Sequence, residues 1–270
     1  MTNYDRASVT VGVILVGIVL LLVLEVPSQT LQFTPLGTPL TLQITGTRIV
    51  SLLLVGLSCA GTEAIMRTHP LVRRQALRYT FPTWILPGLT TLALALFLPQ
   101  SPSLFYWSMG LALGGAVLAW LILTHYQLID RRAKHLATTQ MGRSLVAYLL
   151  ALVFFTSIYQ TRLRSLVTAT STTVIAALIS LSLLSDEEQP LRQTALYAGL
   201  IGLLLGETTW ALNYWRANVL TVGVLLMLLF YVLLGITREH MRDRLDRRVL
   251  IEFLGVAALG MWIVIRFGPQ

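Results

Sequence analysis

Nine apolar stretches, each long enough to cross a bilayer, follow one another along the chain with short polar connections between them. They fall at 8–26, 48–66, 82–98, 104–123, 144–160, 165–184, 194–214, 219–236 and 249–267. A spanning helix needs about 20 apolar residues, because it rises about 1.5 Å per residue through about 30 Å of hydrocarbon. Lipid offers the backbone no hydrogen-bond partner, so each stretch must close its own bonds as a helix. The expected fold is an all-α, polytopic bundle of about nine transmembrane helices, a single integral membrane domain over 1–270. Hydrophobic residues make up 55% of the chain and charged residues 12%, with a mean hydropathy of +0.73, which excludes an ordinary soluble domain. The fifth stretch is the weakest, being short and followed by Tyr159-Gln160. The first reads as a true span rather than a signal peptide. Asp5 and Arg6 make a poor basic start, and Val26-Pro27-Ser28 is not a small-x-small cleavage site. No linker, low-complexity tract or internal repeat is visible.

The net charge of +8 is explained by its placement. Nineteen of the twenty basic residues are Arg, and they alternate in density from one connection to the next. With the N-terminus inside and the C-terminus outside, fifteen fall on the inner side, among them Arg67, Arg73, Arg74, Arg78, Arg131, Arg132, Lys134, Arg143, Arg242 and Arg244. That is the positive-inside bias, and it puts anionic headgroups of membrane lipids among the expected partners. No nucleic-acid partner is needed to account for it. The tryptophans agree, with Trp107, Trp215 and Trp262 at outer span ends and Trp84 and Trp120 toward the inner side.

The outer connection at 27–47 alternates Leu31, Phe33, Leu40, Leu42 and Ile44 with polar residues around Pro35-Leu36-Gly37-Thr38-Pro39. That pattern fits a short β-hairpin or an extended flap. Pro87-Gly88, inside the third stretch, predicts a bend there. The sixth stretch carries a hydroxyl on most turns (Ser165, Thr168, Thr170, Ser171, Thr172, Thr173, Ser180, Ser182), which suits close helix packing or a polar path for solute.

Few residues could carry chemistry. Glu207 lies well inside the seventh stretch, with Trp210, Ala211 and Tyr214 following on the same helical face and Asn213 slightly off it. A carboxylate at that depth is costly unless it is paired, protonated or wet. It is expected to point into the bundle, either as a proton, cation or headgroup site or as a structural hydrogen bond to a neighbouring helix. Glu63 precedes Arg67 by four residues, and Arg248 precedes Glu252 by four, which suits two interfacial ion pairs. Glu25 sits at an outer boundary where charge is cheap. The single cysteine, Cys59, excludes an intrachain disulfide and a cysteine-based metal cluster. His69, His125, His135 and His240 show no metal-ligand spacing, so no metal and no cofactor is expected. None of the familiar catalytic or phosphate-binding motifs occurs either.

Several short stretches resemble a group of uncharacterised bacterial multi-pass membrane proteins. They are Ala60-Gly61-Thr62, Arg67-Thr68-His69-Pro70, Trp84-Ile85-Leu86-Pro87, Glu207-Thr208-Thr209-Trp210-Ala211-Leu212 and Glu252-Phe253-Leu254. The resemblance implies a bacterial inner-membrane home and no chemistry. The leading expectation is a non-enzymatic structural or assembly component, within a protein complex or a homo-oligomer. The alternatives are a small-solute or lipid transporter built on Glu207, and a lipid-modifying enzyme working at the inner face.

Overall fold

The computed structural model describes residues 3–23, 29–33, 40–44, 46–68, 72, 80–128, 136–161, 165–185, 189–215, 218–242 and 246–267. Nine α-helices lie among them: α1 (Asn3–Val23), α2 (Gly46–Met66), α3 (Ile85–Phe97), α4 (Leu104–Leu128), α5 (Leu136–Gln160), α6 (Ser165–Leu184), α7 (Leu191–Leu212), α8 (Val219–Met241) and α9 (Arg247–Phe267). Seven helical segments among the described residues are long and apolar enough to cross a bilayer, running from Gly46–Met66 to Val219–Met241. Two strands, β1 (Gln29–Phe33) and β2 (Leu40–Ile44), pair antiparallel, with Leu31 opposite Leu42 and Phe33 opposite Leu40. The apolar positions of the alternating pattern therefore fall opposite one another in the register. The turn between the strands and Glu25 lie outside the described residues.

The chain divides into two compact units, Met1–Thr139 and Gln140–Gln270. In the first unit, α1 buries Ala7, Val11, Ile14, Ile18 and Leu21, spaced four and three apart so that they form one stripe. That stripe meets Leu54 and Ile65 of α2, Ala95 of α3, and Leu118 and Ile122 of α4 in a single apolar cluster. The third stretch is not one regular helix. Phe81–Trp84 is a 3-10 turn, and the α-helical ladder begins only at Ile85. Pro87 thus occupies the first α-turn, where its missing N–H would have had no helical partner. The proline marks a change of helix type at its N-terminal side.

In the second unit α6 and α7 run closely together. A Cβ at Gly202 would stand 2.6 Å from the Thr173 carbonyl oxygen, so only glycine admits this approach. Four threonine hydroxyls of α6, among them Thr168 onto the Ser165 carbonyl, turn back onto their own helix. Thr170, Thr172 and Thr173 donate to the carbonyls of Leu166, Thr168 and Ala169 at 2.8, 3.0 and 2.9 Å. The buried Ser180 hydroxyl of the same helix has no hydrogen-bond partner among the described residues. Asn213 Nδ2 crosses from the end of α7 to Thr168 Oγ1 of α6 at 2.7 Å. The buried Tyr159 hydroxyl of α5 donates to the Leu212 and Trp215 carbonyls at 3.2 and 3.1 Å, which satisfies acceptors left open at the end of α7. On α8, Phe230 takes the rings of Tyr148 and Phe155 edge to face, each at 5.9 Å.

The fifth helix corrects the sequence boundary. Its bilayer-length segment is Thr138–Gln160, not 144–160. Arg143, read as an inner-loop residue, is inside α5 and only 3% exposed. It shares the buried face of α5 with Ala147 and Leu150, at i+4 and i+7.

Candidate functional site

The four residues expected to gather around Glu207 separate into two sets. Glu207 and Trp210 are exposed on one face of α7 and Tyr214 is exposed in the turn that follows it, while Asn213 turns toward α6 and is committed to Thr168. The inward-pointing expectation for Glu207 is therefore corrected. The buried side of α7 is made of Ala198, Ile201, Gly202, Leu205, Gly206 and Thr209. Small residues at 198, 202 and 206, four apart, let α6 approach, and that contact fixes the rotation of α7 with Glu207 outside it. Among the described residues Glu207 makes no hydrogen bond and no ion pair. On its N-terminal side the same exposed face holds Leu196, Leu200 and Leu203. The positions 196, 200, 203, 207 and 210 step by four and three, the heptad spacing of a helix–helix seam. Glu207 is five residues from the last helical residue, Leu212. Its Cα–Cβ bond tilts toward the N-terminus of α7, away from that nearer end.

A second group of polar residues surrounds a cleft of about 410 Å³ in the first unit. It lies between the end of α2 and the 3-10 turn that precedes α3. Arg67 Nε donates to Glu63 Oε1 at 2.8 Å, so this expected i, i+4 pair is formed. Thr80 Oγ1, which the sequence gave no reason to single out, donates to the same oxygen at 2.7 Å. Glu63 Oε2 is buried and carries no hydrogen bond among the described residues. Phe81 and Trp84 also line it, ring edge to ring face with centroids 4.9 Å apart. Cys59 and Ala60 complete it. A Cβ at Gly88 would touch Cys59 Sγ at 3.0 Å, so glycine there lets α3 close onto α2 beside the cleft.

The other candidates do not assemble. Glu252 is exposed, and the Arg248 side chain lies outside the described residues. His125 is buried with Nδ1 2.7 Å from the Leu121 carbonyl of its own helix, and His240 stacks edge-on to Tyr197 at 5.8 Å. His69 and His135 lie outside the described residues. Among the described residues no three of His, Cys, Asp and Glu come together as a metal site. The one buried cation that sequence reasoning placed wrongly is Arg143, with Arg238 close enough to act on it electrostatically. Arg238 itself donates to the Leu183 carbonyl at 3.2 Å.

No curated protein and no solved structure matches the chain. A family model does match, over residues 26–267, which takes in all but the first helix. The chain belongs to the family described as a protein of unknown function, DUF5656.

Proposed function

We propose that this is a non-enzymatic integral membrane protein that works as a homo-oligomeric assembly component, with α7 as the helix it presents to a second copy. It crosses the bacterial cytoplasmic membrane nine times, N-terminus inside and C-terminus outside. Seven helical segments of bilayer length among the described residues support a multi-pass placement, and the nine apolar stretches and the arginine distribution of the sequence support the count and the orientation. The observation that carries the proposal is the exposed seam of α7 with Glu207 inside it. Leucines at 196, 200 and 203 would suit lipid as well as a partner helix. A carboxyl group would not, because lipid tails offer it no donor.

The seam is complementary to itself. Two copies share one orientation in the membrane, so a two-fold axis along the membrane normal sets α7 against α7 in parallel. Each contact is then made twice, residue i to j and j to i. Glu207 supplies an acceptor, and one turn along the same face Trp210 supplies an indole N–H with 46% of the residue exposed. Glu207 of one copy can accept a hydrogen bond from the Trp210 N–H of the other, and the reverse. A single polar residue at a seam position is also the device that fixes register and copy number in coiled helices.

The proposal is tested by energy transfer between donor- and acceptor-labelled protein in vesicles, diluted stepwise with lipid. Two symmetric membrane hydrogen bonds are worth about 1–4 kcal/mol, so Glu207→Leu should weaken association about five-fold or more. Glu207→Gln, which keeps an acceptor, should weaken it less. Association unchanged or strengthened by Glu207→Leu would sink the proposal.

A further inference from the structure

The cleft beside Glu63 has the chemistry of a binding site. Glu63 offers about four lone-pair positions, of which Arg67 and Thr80 occupy two, both on Oε1. Oε2 is buried and has no donor among the described residues, and buried polar atoms are seldom left so. The terminal torsion of a glutamate is broad, so a modest turn of the carboxylate brings its unused positions to the cleft. Arg67 spends its Nε on Glu63 while its side chain remains 74% exposed, which leaves the rest of the guanidinium for an anion at the rim. Phe81 and Trp84 present an aromatic surface to the same cleft. A cation with N–H donors fits the carboxylate and the rings, and a phosphate fits the arginine.

We infer that this cleft binds a zwitterion in which a primary ammonium is joined through two carbons to a phosphodiester, the ammonium on Glu63 and the phosphate on Arg67. The requirement for N–H donors selects a primary amine over a quaternary one, which could meet the rings but could not donate to the carboxylate. Arg67 directly follows the last residue of the bilayer-length helix Gly46–Met66, so the cleft stands at headgroup level. The same chemistry can come from a phosphatidylethanolamine headgroup or from a soluble glycerophosphoethanolamine.

Cys59, the chain's single cysteine, lines the cleft and reports on its occupancy without any substitution. The experiment measures the rate at which a small methanethiosulfonate reagent modifies Cys59 in the whole protein, reconstituted in three bilayers. These are phosphatidylcholine alone, phosphatidylcholine with phosphatidylethanolamine, and phosphatidylcholine with phosphatidylglycerol. The ethanolamine lipid should slow the reaction about ten-fold relative to the other two, the worth of one charge-assisted hydrogen bond. Protection in pure phosphatidylcholine by added glycerophosphoethanolamine, with none from the lipid, would support the site and assign the soluble source. Glu63→Gln keeps the shape and should abolish the difference between bilayers. Arg67→Gln, at a largely exposed position, should reduce it even if the Glu63 variant fails to fold. Equal rates in all three bilayers without protection by the soluble compound, or protection that survives both substitutions, would overturn the assignment.

Discussion

Adding one methyl group at Gly202 tests the α6–α7 contact directly. The Cβ of Gly202→Ala would lie 2.6 Å from the Thr173 carbonyl oxygen, 2.9 Å from the Ala177 Cβ and 3.2 Å from the Ala177 nitrogen. All three are backbone or Cβ atoms, so no side chain can rotate out of the way. Ordinary heavy-atom contact is about 3.5 Å, and the helices would have to part by most of an ångström. Overpacking of this kind costs about 1–3 kcal/mol, offset by a gain of about 1 kcal/mol for alanine over glycine in a helix. The expected net loss is about 0–2 kcal/mol, which is about 1–3 kcal/mol relative to the same change where there is room for the methyl group. Gly206→Ala should lose less, because its first obstacle is the Thr173 hydroxyl, which can turn, although the Ala169 carbonyl remains at 3.0 Å. Gly199→Ala is the control on the same helix. Nothing lies within 4 Å of its Cβ, so it should be neutral or slightly stabilising. Reversible unfolding in mixed micelles, followed by circular dichroism, gives the three differences. A Gly202→Ala protein as stable as the parent, with Gly199→Ala no better, would refute the close contact.

The Asn213–Thr168 hydrogen bond should show a coupling of about 0.6–2 kcal/mol in a double-mutant cycle of Asn213→Leu and Thr168→Val, read from the same unfolding curves; zero coupling would mean that the pair is not formed. Tyr159→Phe should cost about 1 kcal/mol by uncovering the Leu212 and Trp215 carbonyls, and an unchanged midpoint would contradict that role. For the topology, single cysteines replacing Thr38 or Ser101 in a Cys59→Ser background should react with impermeant reagent from outside. Those replacing Gln75 or Ala137 should not, and the reverse pattern would invert the orientation.

Hydropathy makes the helices legible because spanning length and apolarity act on every residue of a stretch. The nine stretches accordingly correspond in order to the nine helices among the described residues. The start of α5 was hidden because Thr138, Thr139, Gln140 and Arg143 are polar, although Arg143 falls in phase with Ala147 and Leu150. The ion pair of Glu63 with Arg67 is local to one helix and could be read from spacing, whereas Thr80 reaches it from 17 residues away and could not. The depth of Glu207 and the aromatic face beside it point it inward, and neither reports how α7 is rotated. The signal that settles the rotation is the repeat of Ala198, Gly202 and Gly206, since close helix approach needs small side chains.

The claim that α7 meets a second copy is tested most directly by disulfide cross-linking in native membranes. Single cysteines replace Leu200 or Leu203 on the seam, or the equally exposed Leu166 and Leu220 on α6 and α8, in a Cys59→Ser background. The account predicts covalent dimers under mild oxidation from Leu200→Cys and Leu203→Cys, and none above background from the other two. Monomer at all four positions, or dimers formed equally at all four, would contradict it.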